Sequence, residues 1–162
     1  MKCGDAGKRL IRDFEGLYLE PYICPTGHWT VGYGHREFCD TFRHLGFTLT
    51  KTQCDKLLDF DLRRVEWDVI KLLKAPVTQL QFDAICSFTF NLGSDIDDDN
   101  IAEGLVDSTL LKKLNAKDYK GAAQEFLKWI NGTDPKTKAK KPMEGLLRRR
   151  NAERELFLEG TK

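Results

Sequence analysis

No stretch of the 162-residue chain approaches the roughly 18 consecutive apolar residues of a membrane-spanning helix. The opening Met1-Lys2-Cys3-Gly4-Asp5 lacks the apolar core of a secretion signal, so the sequence's own signals predict a product that stays in the cytoplasm where it is made. Charge of one sign is also scarce. The 26 Lys and Arg face 25 Asp and Glu, a net of +1, which leaves no global field to draw the chain to nucleic acid or to a membrane. Five cysteines (3, 24, 39, 54 and 86) contain no Cys-x-x-Cys and no metal-type spacing; their odd number predicts reduced thiols. Internal repeats, low-complexity tracts and long linkers are missing too, which excludes solenoids and independently folding domains.

What is present fits a folded globular protein. A hydrophobic content of 41% and an aromatic content of 10% support one good core, or two small lobes sharing a helix. Residues 5–14 read as a short helix with Leu10, Ile11 and Phe14 on one face and Gly16 just beyond it. Residues 16–35 alternate and carry turn residues, the pattern of a hairpin or small three-stranded sheet. Thr50-Lys51-Thr52-Gln53 is a capping box, after which Leu58, Leu62, Val65, Val69 and Leu72 recur at the spacing of one helical face until Pro76. Segments 78–92, 108–115, 118–130 and 142–158 are helical by pattern. The predicted class is therefore α+β, mostly helical. It has a small β-hairpin lobe (about 14–60), a connecting helix (about 51–74) and a helical lobe (about 75–162, with the N-terminal helix), all in one domain spanning 1–162.

Charge is uneven along this domain. Six acids and no bases lie between Asp95 and Asp107, whereas Lys128 to Arg150 carries eight Lys or Arg against two acids. Ser94-Asp95-Ile96-Asp97-Asp98-Asp99-Asn100 superficially suggests Ca²⁺, but it lacks the Gly and terminal Glu of an EF-hand loop and reads as a solvated surface loop. The basic segment suits anionic polymer or lipid headgroups. It has no interleaved aromatics or reader motif, so nucleic-acid binding is not expected. No metal site or cofactor is expected either.

The chemistry concentrates in Phe14-Glu15-Gly16 and Trp29-Thr30-Val31-Gly32-Tyr33-Gly34-His35. An acid at the end of an amphipathic helix faces a short apolar strand broken by two glycines, which allow close approach. A general acid must hold its proton near neutral pH, and Phe14, Leu17, Leu19 and Tyr22 offer apolar surroundings for it. A helix C-terminus is otherwise a poor place for a carboxylate. Thr30 can hold a water through its hydroxyl, although strand packing alone would also explain it. His35 reads as a structural histidine, and Gly32 and Gly34 as backbone devices.

This run closely resembles the Glu-Gly…Thr-x-Gly-Tyr-Gly-His signature of bacteriophage lysozymes, the family-24 glycoside hydrolases. The resemblance continues through Phe82-Asp83-Ala84-Ile85-Cys86-Ser87-Phe88-Thr89-Phe90-Asn91-Leu92-Gly93, Ser108–Asn115, Ala122–Phe126, Trp129 and Gly145–Glu153. It implies an endolysin that hydrolyses the β-1,4 bond between N-acetylmuramic acid and N-acetylglucosamine in peptidoglycan, as a monomer without cofactor. Access to the wall would follow holin-type membrane permeabilisation. The resemblance implies further that Glu15 protonates the glycosidic oxygen, that Thr30 positions the attacking water, and that Phe90 and Asn91 line the substrate cleft. It also puts one arginine of Arg148–Arg150 near Glu15, without deciding which.

The chain departs from the family at one position. Nine residues after the acid, where many members carry aspartate, stands Cys24. A thiol titrating near ~8.5 is mostly neutral at pH 7, so Cys24 is either a tuned thiolate base or a shaping residue beside Thr30; the second needs no special tuning. Two rival functions share the same residues. A lytic transglycosylase would use Glu15 alone, with the sugar's own 6-hydroxyl replacing water. A weakly active wall-binding or antibacterial delivery module would keep the cleft but lose turnover.

Overall fold

The computed structural model describes residues 1–24, 27–37, 39–96, 104–134, 137 and 139–161. The acidic residues 97–99 and the basic residues Lys136 and Lys138, which the sequence singles out, lie outside the described residues.

The first helix, α1 (Asp5–Glu15), buries Ile11 and starts on a side chain from elsewhere in the chain. The Gly4 and Gly7 N–H groups donate to the buried Asp83 carboxylate at 2.7 and 3.3 Å, so a distant acid satisfies two of the helix's orphan donors. Gly16 ends α1 at φ 74°, a conformation that glycine reaches cheaply, and its N–H returns to the Arg12 carbonyl. Glu15 is thereby left on the last helical turn. Next come β1 (Tyr18–Ile23) and β2 (Trp29–Gly32), paired antiparallel with Tyr22 opposite Thr30. An isolated bridge between Val31 and His35 adds to this sheet, so it is a two-stranded ribbon with one extra rung.

A short helix, α2 (Cys39–His44), which the sequence pattern does not reveal, precedes the long α3 (Lys51–Leu72). The α3 capping box forms as predicted: Gln53 N–H donates to Thr50 Oγ1 at 3.3 Å, and Thr50 N–H to Gln53 Oε1 at 2.8 Å. At the other end Asn115 acts as a clamp, donating to the Leu72 carbonyl at 2.9 Å and accepting from Lys74 N–H at 2.8 Å. Of the predicted face, Leu58, Leu62 and Val69 are buried, and Val65 and Leu72 pack on the core partly exposed. Cys54 extends the buried face one turn earlier.

Helix α4 (Gln79–Leu92) runs through the middle of the larger lobe, buried without a break from Gln81 to Thr89. Around it pack α1, α3 and α7 (Glu144–Glu159). The segment predicted as one helix over 118–130 instead splits into α6 (Tyr119–Glu125) and a 3₁₀ turn (Phe126–Lys128), after α5 (Thr109–Asn115). Phe126 sits edge-on to Phe88 at 5.3 Å and Trp129 edge-on to the same ring at 5.6 Å. A second ribbon, β3 (Asn131–Thr133) with β4 (Lys140–Pro142), lies where the sequence shows only a loop. Its strands are short, polar and largely exposed, so no alternating pattern marks them.

Because Leu62 is 1% exposed at the centre of the α3 inner face, Leu62→Ala is expected to cost about 2–5 kcal/mol in denaturant unfolding. Val65→Ala, at a half-exposed position, should cost clearly less. Equal costs would contradict the helix phase.

Candidate active site

Glu15, Cys24, Thr30, Phe90 and Asn91, all singled out in the sequence, border one cleft of about 890 Å³. Tyr22, Gly34 and His35 continue its wall on the small lobe, and α3 contributes Phe60, Asp61, Arg63, Arg64 and Val65.

Glu15 is held by a residue from the far end of the chain. Arg149, on α7, donates from Nη1 to Glu15 Oε1 at 2.6 Å, which settles which of Arg148–Arg150 lies beside the acid. The Arg149 guanidinium also sits 5.8 Å from the Phe14 ring centre, in cation–π contact. The apolar jacket expected from the sequence is only partly built. Phe14 and Tyr22 are half-buried, but Leu17 and Leu19 are 38% and 39% exposed. A charged partner therefore supplies much of the surroundings. The second carboxylate oxygen looks toward Gly34, whose φ of 100° requires glycine; a Cβ there would lie 3.9 Å from Glu15 Oε2.

Arg149 is buried and needs a counter-charge on its inner side. Glu153, one helical turn further along α7, takes Arg149 Nε at 3.1 Å, and Arg149 Nη2 donates to the Ser87 carbonyl at 3.2 Å. Glu153 also accepts from Ser87 Oγ at 2.8 Å and stands 3.0 Å from Arg150 Nε. Arg150 in turn donates to Asn91 Oδ1 at 2.8 Å and covers the Phe88 ring at 4.9 Å. Burial pushes the Glu153 carboxyl up, against the pull of both arginines, and pushes the Arg150 guanidinium down to about 10, against the pull of Glu153. Sequence reading missed Glu153. Its signal was an acid three and four residues after two arginines on one helix; nothing in that spacing said the cluster is buried.

Cys24 and Thr30 share one anchor. The His28 carbonyl accepts from Cys24 N–H at 2.9 Å and from Thr30 Oγ1 at 3.1 Å, so both residues are fixed by the same turn. Both are buried against the cleft wall, with Thr30 3% and Cys24 8% exposed. No disulfide involves any of the five cysteines, all of them buried. Among the described residues no group of three His, Cys, Asp or Glu side chains is placed to hold a metal ion.

His35 is structural here, buried, with Nδ1 2.8 Å from Asp61 of α3. Its carbonyl accepts from Cys39 Sγ at 3.1 Å, and its backbone pairs with Val31 in both directions at 2.9 Å. It ties the small lobe to the connecting helix.

A carboxylate at a helix end, locked by an arginine in a deep cleft between a β-ribbon and a helical lobe, defines a lysozyme-type glycoside hydrolase, and the chain belongs to the phage lysozyme family. The family model matches residues 12–153. The chain is 40% identical over 161 residues to an endolysin of Acyrthosiphon pisum secondary endosymbiont phage 1, covering 97% of this chain and 98% of the relative. With the endolysin of Salmonella phage P22 it shares 35% identity over 159 residues, 98% of this chain and 99% of that one. Among solved structures, an endolysin from Escherichia coli O157:H7 phage FAHEc1 superposes with a TM-score of 0.82 at 30% identity, over 98% of this chain and 94% of the other.

The hydrogen bond to Asp61 raises the His35 pKa above its ordinary value, with burial opposing. A raised folded-state pKa means stabilisation that is fully present below about pH 6.5 and is lost as pH rises through the folded value. Thermal melts across this window should show wild type losing stability relative to His35→Gln. Parallel pH profiles for the two proteins would contradict the pairing.

Proposed function

We propose that the chain is an endolysin that hydrolyses the β-1,4 bond between N-acetylmuramic acid and N-acetylglucosamine, with Glu15 as general acid. The observation that carries this reading is the Arg149–Glu15 contact of 2.6 Å at the edge of the cleft that Thr30 and Cys24 also line. With Oε1 held by Arg149, Oε2 is the oxygen free to deliver a proton to the leaving glycosidic oxygen. Thr30 Oγ1 donates to His28 and keeps lone pairs for a water on the opposite side of the sugar. Cys24, anchored on the same carbonyl, shapes that water's pocket rather than acting as a thiolate base. Water adds at the anomeric carbon and gives up one proton to solvent in the cleft, the glycosidic C–O bond breaks, the leaving oxygen takes the Glu15 proton, and Glu15 is reprotonated from solvent, so the net change is the addition of one water.

Phe90 and Asn91 form the opposite wall and contact the glycan, with Arg150 orienting the Asn91 amide through its oxygen. The remaining expectations accompany this reading. Residues 1–162 work as one monomeric lysozyme unit whose small lobe (about 14–60) and helical lobe (about 75–162) meet across the connecting helix (about 51–74). It is made in the host cytoplasm and reaches the wall after a holin-type partner permeabilises the membrane. No helix of the described residues is long and apolar enough to cross a membrane itself.

Mass spectrometry of muropeptides after digestion of purified peptidoglycan tests the reaction. Reducing ends carrying one added water are expected; 1,6-anhydro ends would instead mean transglycosylation by Glu15. Glu15→Gln should keep the fold and lose at least ~10²-fold in activity, and near-wild-type clearing of wall suspensions would reject the assignment. Cys24→Ser and Cys24→Asp should both stay active. A dead serine variant beside an active aspartate variant, with rapid alkylation of Cys24 at about pH 6, would make the thiolate the base.

A further inference from the structure

Helix α3 carries a second sorted face, of which only Phe60 and Arg63 border the cleft. Its inner side is the buried Cys54, Leu58, Leu62 and Val69. Lys56, Phe60, Arg63, Trp67, Ile70 and Lys71 follow one another at three- or four-residue steps, with one single-residue step. At 3.6 residues per turn they occupy a stripe about 100° wide, directly opposite the buried side. All six are exposed, and the three apolar ones strongly so: Phe60 49%, Trp67 61% and Ile70 45%.

No acid lies within the stripe, and every acid of the helix is engaged elsewhere. Asp55 holds Arg12 and Lys51 at 2.9 Å each, Asp59 holds Lys8 at 2.7 Å, and Asp61 holds His35 at 2.8 Å. Glu66 accepts from Cys3 N–H at 2.8 Å, and Asp68 from Ser94 Oγ at 2.7 Å. The cations of the stripe, by contrast, rest on its own aromatics: Lys71 Nζ lies 5.2 Å from the Trp67 ring centre, and the Arg63 guanidinium 6.0 Å from that of Phe60. A chain with a net charge of only +1 thus gathers cations and large apolar side chains on one outward face.

We propose that the distal part of this face of α3 docks on an anionic phospholipid surface, its cations meeting headgroup phosphates while Trp67 and Ile70 enter the interfacial layer. Interfacial helices combine these two elements, apolar residues flanked by Lys and Arg. A polysaccharide would want open aromatic faces, whereas Lys71 already covers one face of Trp67, and it has no use for Ile70. Phe60 and Arg63 of the stripe lie beside the cleft, and Trp67, Ile70 and Lys71 do not line it. Docking through its distal part, Trp67 to Lys71, leaves the cleft mouth accessible. The proposal does not depend on which bond the cleft breaks.

The test is co-sedimentation of the full chain with phosphatidylglycerol/phosphatidylethanolamine vesicles, with phosphatidylcholine vesicles and with isolated cell-wall sacculi. Wild type should bind the anionic vesicles, release them as salt rises, and ignore phosphatidylcholine. Trp67→Ser/Ile70→Ser and Lys71→Glu should each lower partitioning at least ~tenfold, the size expected when interfacial contacts or two charge units are lost. Both variants should digest soluble peptidoglycan fragments at the wild-type rate. Failure of wild type to bind anionic vesicles, or equal binding by wild type and variants, would overturn the proposal. So would variants that bind vesicles normally but lose binding to sacculi, which would make the stripe a wall-polymer surface.

Discussion

The Glu153 carboxylate, fully buried between Arg149 and Arg150, is the interaction on which the site depends. An arginine that reaches the Glu15 carboxylate from inside the protein must itself leave water, and an isolated buried cation is prohibitively costly. Glu153 removes that cost locally. With Glu15 it makes a cluster of two acids and two bases, in which each arginine has an acid partner. The cluster also joins three helices. Glu15 ends α1, Ser87 and Asn91 lie on α4, and the arginines and Glu153 lie on α7. The acid's position is therefore a consequence of how these helices pack, not of the loop that follows it.

The small lobe is attached by a different kind of contact. His35 reaches Asp61, and the turn at His28 fixes both Cys24 and Thr30 through one carbonyl. Glu15 on one side and Thr30 with Cys24 on the other thus belong to two separately built walls, related through α3. Lobe attachment by a titratable histidine and acid placement by a permanently charged arginine have different pH sensitivities. The attachment weakens toward alkaline pH, whereas the Arg149 contact keeps its positive partner throughout.

Much of this was legible in the sequence where a local rule applied. The Thr50 capping box and the Leu58–Val69 spacing marked α3, and Gly16 after a helical pattern marked the end of α1 that carries Glu15. The motif order marked the family and the cleft. Other parts escaped for physical reasons. The strands Asn131–Thr133 and Lys140–Pro142 are too short and polar to show alternation. The break between α6 and the 3₁₀ turn at Phe126 has no proline or glycine to mark it in the sequence. The resemblance put one arginine of Arg148–Arg150 near Glu15 without deciding which, and spacing said nothing of the burial of Glu153; the packing of α7 on α4 turns Arg149 and Glu153 inward. Leu17 and Leu19 erred the other way: apolar and next to the acid in sequence, they face solvent.

The central claim is that Glu153 acts on Glu15 through Arg149, and a double-mutant cycle on kcat tests it directly. Glu153→Gln, Arg149→Gln and the double variant are compared with wild type on soluble peptidoglycan fragments, at a temperature where circular dichroism shows all four folded. If Glu153 works by holding Arg149, the double variant should be no slower than the slower single variant, a coupling as large as the smaller single effect. Losses that multiply in the double variant would show that Glu153 and Arg149 act independently, and would contradict the account.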